Sequence, residues 1–422
     1  MNLTKIISNP DFKFESQPDI CSNFSTERFS WFYVLMFGIY VFTAVSISYM
    51  EGYNYLSKYI GYTATVLALI KIILRGVTVS REILFYGSWL IWSCTGVFVY
   101  ISPVVFWTRF FTVMQLFILF LLVIRISDNY KNLLGLSVFY FLGVLLVVLL
   151  TFITGDFNYG IETGERITGT AGNANSLSVI IHHMLFIQFA YFELSKKKWI
   201  KVSMLALLPF QAKVIVATGS KKGLIFFLFV ILVWFLFFHM RDVYKKPHIF
   251  LILMTLGTLF MVWFFNNIIG TTLYNRLLGL QATLEGGGGD DYARITLAKK
   301  GIQVFIEHPI FGVGLDNFRF YSGIGVYAHN TYIELLTNGG LIGFLLMFSV
   351  LLSLFLRGCK GMKSSITNVS VISKIVVVYF LYVFLISMVS PLYYDKFHWI
   401  MLGFITAFYV HRNKVVKNEN SY

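Results

Sequence analysis

One histidine and six cationic side chains lie in the hydrophilic segments between long apolar runs, and these residue types are suited to chemistry on an anion. They are Arg166, Lys221, Lys222, Arg276, Arg294, Arg319 and His329. Arginine presents a planar fork that can hold two phosphate oxygens at once, and lysine adds a mobile point charge. A departing diphosphate needs both kinds of help. The alternative for each cation is an interfacial role, in which the side chain snorkels or meets lipid headgroups.

Two more cations, Arg109 and Lys213, lie within apolar runs and one or two turns from their ends. An ionisable residue inside a membrane-spanning segment indicates a functional site by default. His182 and His183 also lie within a run, but for them we expect a hydrogen-bonded structural role rather than a cavity-lining one.

Other groups bear on acid–base and metal chemistry. Glu307, Asp316 and Glu334 lie close in sequence to His329 and are alternative bases. No Asp-x-Asp pattern accompanies the cations, so a divalent metal is not indicated. The three cysteines lack disulfide or zinc-ligand spacing, and the glycine run 286–289 lacks the Lys-Ser/Thr of a phosphate-binding loop. We therefore expect no metal and no cofactor.

The elements that must position these residues are membrane-spanning helices. Hydrophobic residues make up 57% of the 422 residues, charged residues make up 13%, and the mean hydropathy is +0.73. The apolar share is higher and the charged share is lower than in a soluble domain. The apolar runs are continuous rather than alternating, which favours helices of about 20 residues over strands. The sequence predicts an all-α polytopic bundle of about twelve spans near 31–50, 59–75, 83–102, 104–124, 133–154, 175–194, 199–217, 223–239, 247–268, 340–357, 371–390 and 397–411.

An even number of spans puts both termini on one side of the membrane. Lys and Arg are concentrated in the segments of that side, so the positive-inside rule places the termini in the cytoplasm. The net charge of +14 is then an orientation signal and a contact with anionic lipid, and nucleic acid is not expected as a partner. Polar residues fill the first thirty positions without a cleavable signal, so we expect the first run to stay as an anchor.

The spans divide the chain into five segments, and the longest hydrophilic one faces outwards, where we expect the function. In order, the segments are a cytoplasmic tail at 1–30, spans one to nine at 31–268 with an outer loop at 155–174, a large extracytoplasmic loop at 269–339, spans ten to twelve at 340–411, and a cytoplasmic tail at 412–422.

A stretch in the large loop resembles the signature of the O-antigen ligase and Wzy-type polymerase superfamily. Residues 328–343 carry its order of His, Asn, nine residues, Gly, two residues and Gly. Arg294 and the run 307–318, which reads EHPIFGVGLDNF, are similar to the arginine and the Gly-Val-Gly run that precede the histidine in that superfamily. The resemblance covers roughly residues 155–410.

Two further patches agree with the resemblance and also depart from it. Arg166 ahead of residues 172–176 is similar to the outer-loop arginine and Asn-Pro-Asn element of the superfamily, although Ala174 replaces the proline. Residues 218–223 are similar to its Ser-Arg-Gly turn, with Lys221 in place of the arginine. Lysine keeps the charge but loses two-point binding.

The resemblance implies a glycosyltransferase that takes a glycan from undecaprenyl diphosphate and passes it to a hydroxyl at the outer face of the bacterial inner membrane. The acceptor of a polymerase is the next lipid-linked repeat unit, and the acceptor of a ligase is the lipid A core of lipopolysaccharide. Phe344 and Leu345 stand where ligases often have threonines, which favours a polymerase of O-antigen, capsule or another surface polysaccharide. The implied partners are lipid-linked oligosaccharides and membrane lipid. The resemblance is also compatible with a chain-length regulator protein as a partner.

The resemblance also assigns roles to residues. His329, Arg294 and Arg166 are the expected catalytic residues: the arginines hold the diphosphate with Lys221, and His329 orients or deprotonates the acceptor. The structural alternative for His329 is a helix-capping or loop-anchoring residue. The expected substrate-binding residues are Lys221, Lys222, Asn330, Asn173, Asn175, Arg319, Arg276, Arg109 and Tyr332.

Two readings from other classes compete with an enzyme. A flippase or transporter of lipid-linked glycans would spread its charges through mid-span positions to line a passage. A non-catalytic scaffold would not need the Arg294 and His329 constellation. Because the cations gather in outer loops and at outer helix ends, the pattern favours the enzyme.

Overall fold

The computed structural model of the chain describes residues 31–154 except 49, 51 and 77, residues 166–240, residues 290–419, and single positions between 241 and 289. These residues form helices and connecting segments, with no strand among them. The predicted all-α polytopic membrane fold is confirmed. Several predictions fall outside the described residues: the tail 1–30, most of the outer loop 155–174 before Arg166, nearly all of the span 247–268, the glycine run 286–289, and Arg276.

Thirteen α-helices occur in the described part of the chain, and we number them in chain order. They are α1 (Trp31–Ser46), α2 (Asn54–Arg75), α3 (Arg81–Ser93), α4 (Pro103–Ile126), α5 (Tyr130–Thr154), α6 (Ala174–Leu194), α7 (Lys198–Ala217), α8 (Lys221–Phe238), α9 (Asp290–Glu307), α10 (Phe318–Tyr321), α11 (Thr331–Gly361), α12 (Thr367–Ile386) and α13 (Lys396–Glu419).

Within these ranges, seven helices are long and apolar enough to cross a membrane, namely α4, α5, α6, α7, α8, α11 and α12, and α1 is a shorter apolar helix. Two predicted spans have different bounds. The span near 83–102 is wrong as a single helix, because α3 ends at Ser93 and a 3-10 turn, Cys94–Phe98, follows it. The span near 340–357 begins earlier than predicted, because Asn330 caps a helix that starts at Thr331.

The helices pack with α6 near the centre, where it contacts α5, α7, α8 and α12. On either side, α1 packs along α5, α11 along α3 and α4 along α13. Two histidines on α6 join these neighbours: His182 bonds to the Gly223 carbonyl (2.8 Å) and the Tyr382 hydroxyl (3.1 Å), and His183 to the Tyr140 hydroxyl (3.2 Å). The expected structural role of both histidines is confirmed.

Helices α6, α8, α11 and α13 all begin at the same end of the bundle, which we call the site end. Their first residues are joined there through side chains from neighbouring helices and loops. For example, Lys222 at the start of α8 donates to Ser390, and Thr331 at the start of α11 donates to the Ser390 carbonyl. The hydrophilic residues singled out in the sequence therefore meet at one end of the bundle.

Helix α11 is broken at Gly340, whose φ of 63° and ψ of −167° lie in a region that glycine alone adopts readily. Residues 309–314, which we call the strap, cross the break and take over backbone hydrogen bonds. A buried backbone group left without a partner would cost roughly 1–3 kcal/mol. The replacement bonds run from Val313 N to Thr337 O (2.8 Å), Gly314 N to Asn338 O (3.1 Å), Leu341 N to Pro309 O (2.8 Å) and Trp92 Nε1 to Gly339 O (2.8 Å).

Glycines in the run 307–318 and in the pattern 328–343 permit the strap to approach α11 closely. A Cβ on Gly312 would lie 2.5 Å from the Thr337 carbonyl oxygen, and a Cβ on Gly340 would collide with the carbonyl group of Ile310. These glycines therefore dock the strap onto α11 and fix the position of the segment that leads to His329.

Gly340→Ala should destabilise the protein more than a matched glycine substitution does. Gly76 has nearly the same backbone conformation, φ 65° and ψ 179°, but a Cβ there would meet nothing within 4 Å. We expect Gly76→Ala to lower the free energy of unfolding by about 1–2 kcal/mol and Gly340→Ala by roughly twice as much, because only the latter adds a collision. Thermal unfolding of the detergent-purified variants measures both losses. Equal losses would contradict the role assigned to the strap.

Candidate functional site

A cavity of about 520 Å³ lies at the site end, a size typical of ligand sites. Part of its wall is apolar and comes from spanning helices, with Leu116 and Leu119 on α4 and Val179 on α6. The other part is polar. Its polar and aromatic lining includes Asn173, Asn175, Lys222, Tyr327, His329, Ser390, Tyr394, Asp395 and Lys396. The mixture fits a ligand that is polar at one end and apolar at the other.

His329 lines this cavity from the segment between α10 and α11. Its φ of 55° is unusual for a residue with a side chain, and its ring lies 4.0 Å from the ring of Tyr327 between centroids. The buried carboxylate of Glu334 holds the segment in place: Glu334 accepts from the Ala328 N–H (2.5 Å) and from Asn338 Nδ2 (3.1 Å). Glu334 therefore positions His329.

The two predicted substrate-binding residues that follow His329 are engaged in structural bonds. Asn330 caps α11, and its Oδ1 accepts from the backbone N–H groups of Tyr332 (2.9 Å) and Ile333 (3.1 Å). Tyr332 donates its hydroxyl to the Phe384 carbonyl (2.7 Å) on α12. Within the described residues, the cavity lining includes neither side chain.

Arg294 reaches the same region from α9, which packs on α11. Leu297, one turn further along α9, shares a small apolar cluster with Ala328, so this helix packs against the segment that carries His329. Burial raises the pKa of Tyr327, and the positive charge of Arg294 opposes that rise. The same charge acts electrostatically on Lys222. Arg294 thus acts electrostatically on two residues of the cavity wall.

Arg166 is anchored where α6 and α8 begin. It donates from Nε to the Thr218 carbonyl (2.8 Å) and from a terminal nitrogen to Asn175 Oδ1 (3.0 Å). Ser220, the N-cap of α8, also donates to Asn175 Oδ1 (2.9 Å). Asn173 is the N-cap of α6. Arg166 with residues 172–176 and the turn at residues 218–223, which both agree with the superfamily pattern, therefore meet in space. They lie beside two helix N-termini, which favour an anion.

Lys222, rather than Lys221, lies in the cavity wall among the described residues. Its ammonium donates to Ser390 Oγ (2.5 Å) and the Val389 carbonyl (3.2 Å), both neutral oxygens. Arg294 and Arg166 both act on it electrostatically, although neither is among the described residues of the cavity wall. Lys222 thus joins the two arginines electrostatically to the cavity that His329 lines.

Arg109 and Arg319 share one carboxylate. Asp316 accepts from Arg109 at 2.8 Å and from Arg319 at 2.7 Å, and the Arg109 guanidinium lies 4.1 Å over the Tyr394 ring. The Asp316 carboxylate holds both arginines in place, and the three side chains together keep a net positive charge. Lys213 is exposed on α7, 5.0 Å over the Phe152 ring, and is not among the described residues of the cavity wall.

Two ionisable residues of the cavity wall, Asp395 and Lys396, were not among the site residues expected from the sequence. Asp395 stands directly before α13 and Lys396 begins it, next to the predicted span 397–411. The adjacent acid and base directly before the last apolar run were the signal that could have identified them.

Comparison with known proteins identifies one segment of the chain. Residues 202–348 match the family model described as O-antigen ligase. No curated protein matches the chain. The matched segment includes Lys222, the strap, Arg294 and His329, whereas Arg166 precedes it and Asp395 follows it.

Substitutions at Asn330 should separate capping from ligand binding. Asn330→Ala removes the cap and should lower the free energy of unfolding by about 1 kcal/mol, whereas Asn330→Asp and Asn330→Ser keep a capping oxygen and should retain stability near the wild-type value. Thermal unfolding in detergent measures all three variants. An Asn330→Ala variant as stable as the wild type would show that the cap contributes nothing.

Proposed function

We propose that the chain, of which residues 202–348 match a family model described as O-antigen ligase, is a polymerase of bacterial surface polysaccharide. In this proposal the enzyme transfers the growing glycan from undecaprenyl diphosphate to a hydroxyl of the next lipid-linked repeat unit, without a metal ion. The site end faces the outer side of the inner membrane, and both termini face the cytoplasm. A chain-length regulator protein is a further proposed partner.

The observation that carries the proposal is that Lys222 and His329 line one cavity with an apolar wall, while Arg294 and Arg166 act electrostatically on Lys222. Cations collected at the end of an apolar bundle favour a strongly anionic ligand. The apolar wall suits a prenyl chain that enters from the lipid. A lipid-linked diphosphate has both parts.

The proposed reaction is a displacement at the anomeric carbon. A bond forms from the acceptor hydroxyl oxygen to that carbon, and the bond from the carbon to the diphosphate oxygen breaks with its electron pair. Lys222, Arg166 and Arg294 stabilise the charge that develops on the diphosphate. His329 orients or deprotonates the acceptor hydroxyl.

The second candidate is a ligase, because the matching family model is described as O-antigen ligase. The acceptor distinguishes the two reactions. Purified protein given lipid-linked repeat units alone should produce ladders of longer glycans if it is a polymerase. Transfer only after lipid A core is added would establish the ligase, and the absence of both products would contradict the glycosyltransferase proposal.

Arg294→Ala and His329→Ala should each abolish detectable chain growth while the protein stays in the membrane. Loss of one group that stabilises developing charge lowers the rate by about 100-fold or more. The measurement is the yield of glycan ladders at matched protein abundance. Lys213→Ala, on the exposed face of α7, is the control and should retain activity. Full activity in either test variant would remove that residue from the mechanism.

The neighbouring lysines should differ in their effect. Lys222→Met should abolish most chain growth, because this ammonium lies in the cavity wall, whereas Lys221→Met should retain a larger part of it. Methionine keeps the length and apolar stem of the side chain and removes the charge. Ladder yield and the KM for the lipid-linked donor are the two readouts. A larger loss in Lys221→Met than in Lys222→Met would reverse the assignment.

A further inference from the structure

Asp395 is a carboxylate of the cavity wall that the mechanism above does not use. It stands directly before α13, in the wall that also contains His329 and Lys222. Its Oδ1 caps the helix by accepting from the N–H groups of Phe397 (2.7 Å) and His398 (3.4 Å). Within the described residues, Oδ2 accepts no hydrogen bond. One oxygen thus holds the carboxylate in place and the other is available to a ligand.

The other carboxylates at the site end are already engaged. Glu334 binds the Ala328 N–H and Asn338, and Asp316 binds two arginines. Glu307 is exposed on α9 and accepts from Gln303 (2.9 Å). Among the described residues, Asp395 is the acidic side chain of the cavity wall.

The surroundings of Asp395 suit a proton acceptor. Burial raises the pKa of this carboxyl, while its two backbone hydrogen bonds and the charge of Lys396 act in the opposite direction. A base whose pKa lies nearer to neutrality is more effective at neutral pH than an ordinary carboxylate. The ionisable groups around it are Lys222, His329 and Lys396 in the cavity wall and Tyr140, Tyr379 and Tyr382 on the spanning helices.

We infer that Asp395 is the catalytic residue that removes the proton from the acceptor hydroxyl, with His329 orienting that hydroxyl. The inference rests on the proposed glycosyl transfer. As the hydroxyl oxygen bonds to the anomeric carbon, its proton moves to Oδ2 of Asp395, and the electron pair of the broken bond leaves with the diphosphate. The proton then passes to water through the cavity, which restores the carboxylate.

Asp395→Asn tests the inference with the fold preserved, since asparagine caps a helix as well as aspartate does. We expect kcat to fall by about 100-fold or more with little change in the KM for the donor. The wild-type kcat should decline as the pH drops through the raised pKa of Asp395, and this decline should be absent from Asp395→Asn. Glu307→Gln is the matched carboxylate control and should keep both the rate and the pH profile.

A small carboxylate should replace the missing group. Asp395→Ser retains a capping oxygen and leaves space in the cavity, so added formate should restore part of its activity, whereas formate should not restore His329→Ala. A wild-type rate and pH profile in Asp395→Asn, or a loss in Asp395→Ser that formate does not relieve, would overturn the inference. The wild-type reaction separates the two proposals: if the wild type forms no product, the proposed function fails, and if only these variants behave otherwise than expected, the base assignment alone fails.

Discussion

Like charges repel strongly where little water screens them, and this repulsion governs the site end. Several cations gather there, and their hydrogen-bond and ion-pair partners differ. Asp316 lies between Arg109 and Arg319, whereas Arg166 and Lys222 receive neutral oxygens from carbonyl, amide and hydroxyl groups. Positive charges held this close together repel one another without a ligand and favour an anionic one.

A second constraint is that backbone groups in a membrane must be paired within the protein. The break in α11 satisfies it because the strap and Trp92 supply partners for the freed groups. The break also ends the first part of α11 near the strap, so that residues 331–339 form a separate short helical segment at the site end. Asn330 and Glu334 on this segment fix the backbone around His329. The geometry of the histidine thus depends on the same contacts that keep α11 broken.

The sequence patterns that carried the family resemblance divide into two physical classes. Gly312, Gly340 and Asn330 are explained by backbone contacts, since they permit a close approach or cap a helix. Arg294, Lys222 and His329 make none of these backbone contacts, and Lys222 and His329 line the cavity. The family match over residues 202–348 agrees with the resemblance in that segment, but a pattern of this kind does not separate residues that shape a site from residues that act in it.

The sequence by itself determined the class of the protein, because continuous apolar runs in lipid allow only helices, and it predicted that Arg166, Arg294 and His329 belong to one site. It did not determine the break in α11, since a glycine within an apolar run permits a helix as well as a kink. The sequence resemblance put Lys221 on the diphosphate, whereas Lys222 lies in the cavity wall. The two side chains leave a helix start about 100° apart, so the packing of α8 decides which one meets the cavity. Asp395 was hidden for a similar reason: its neighbours in the cavity come from α4, α6 and α8, far away in the chain. Such long-range neighbours follow from the packing of whole helices, which local residue patterns do not specify.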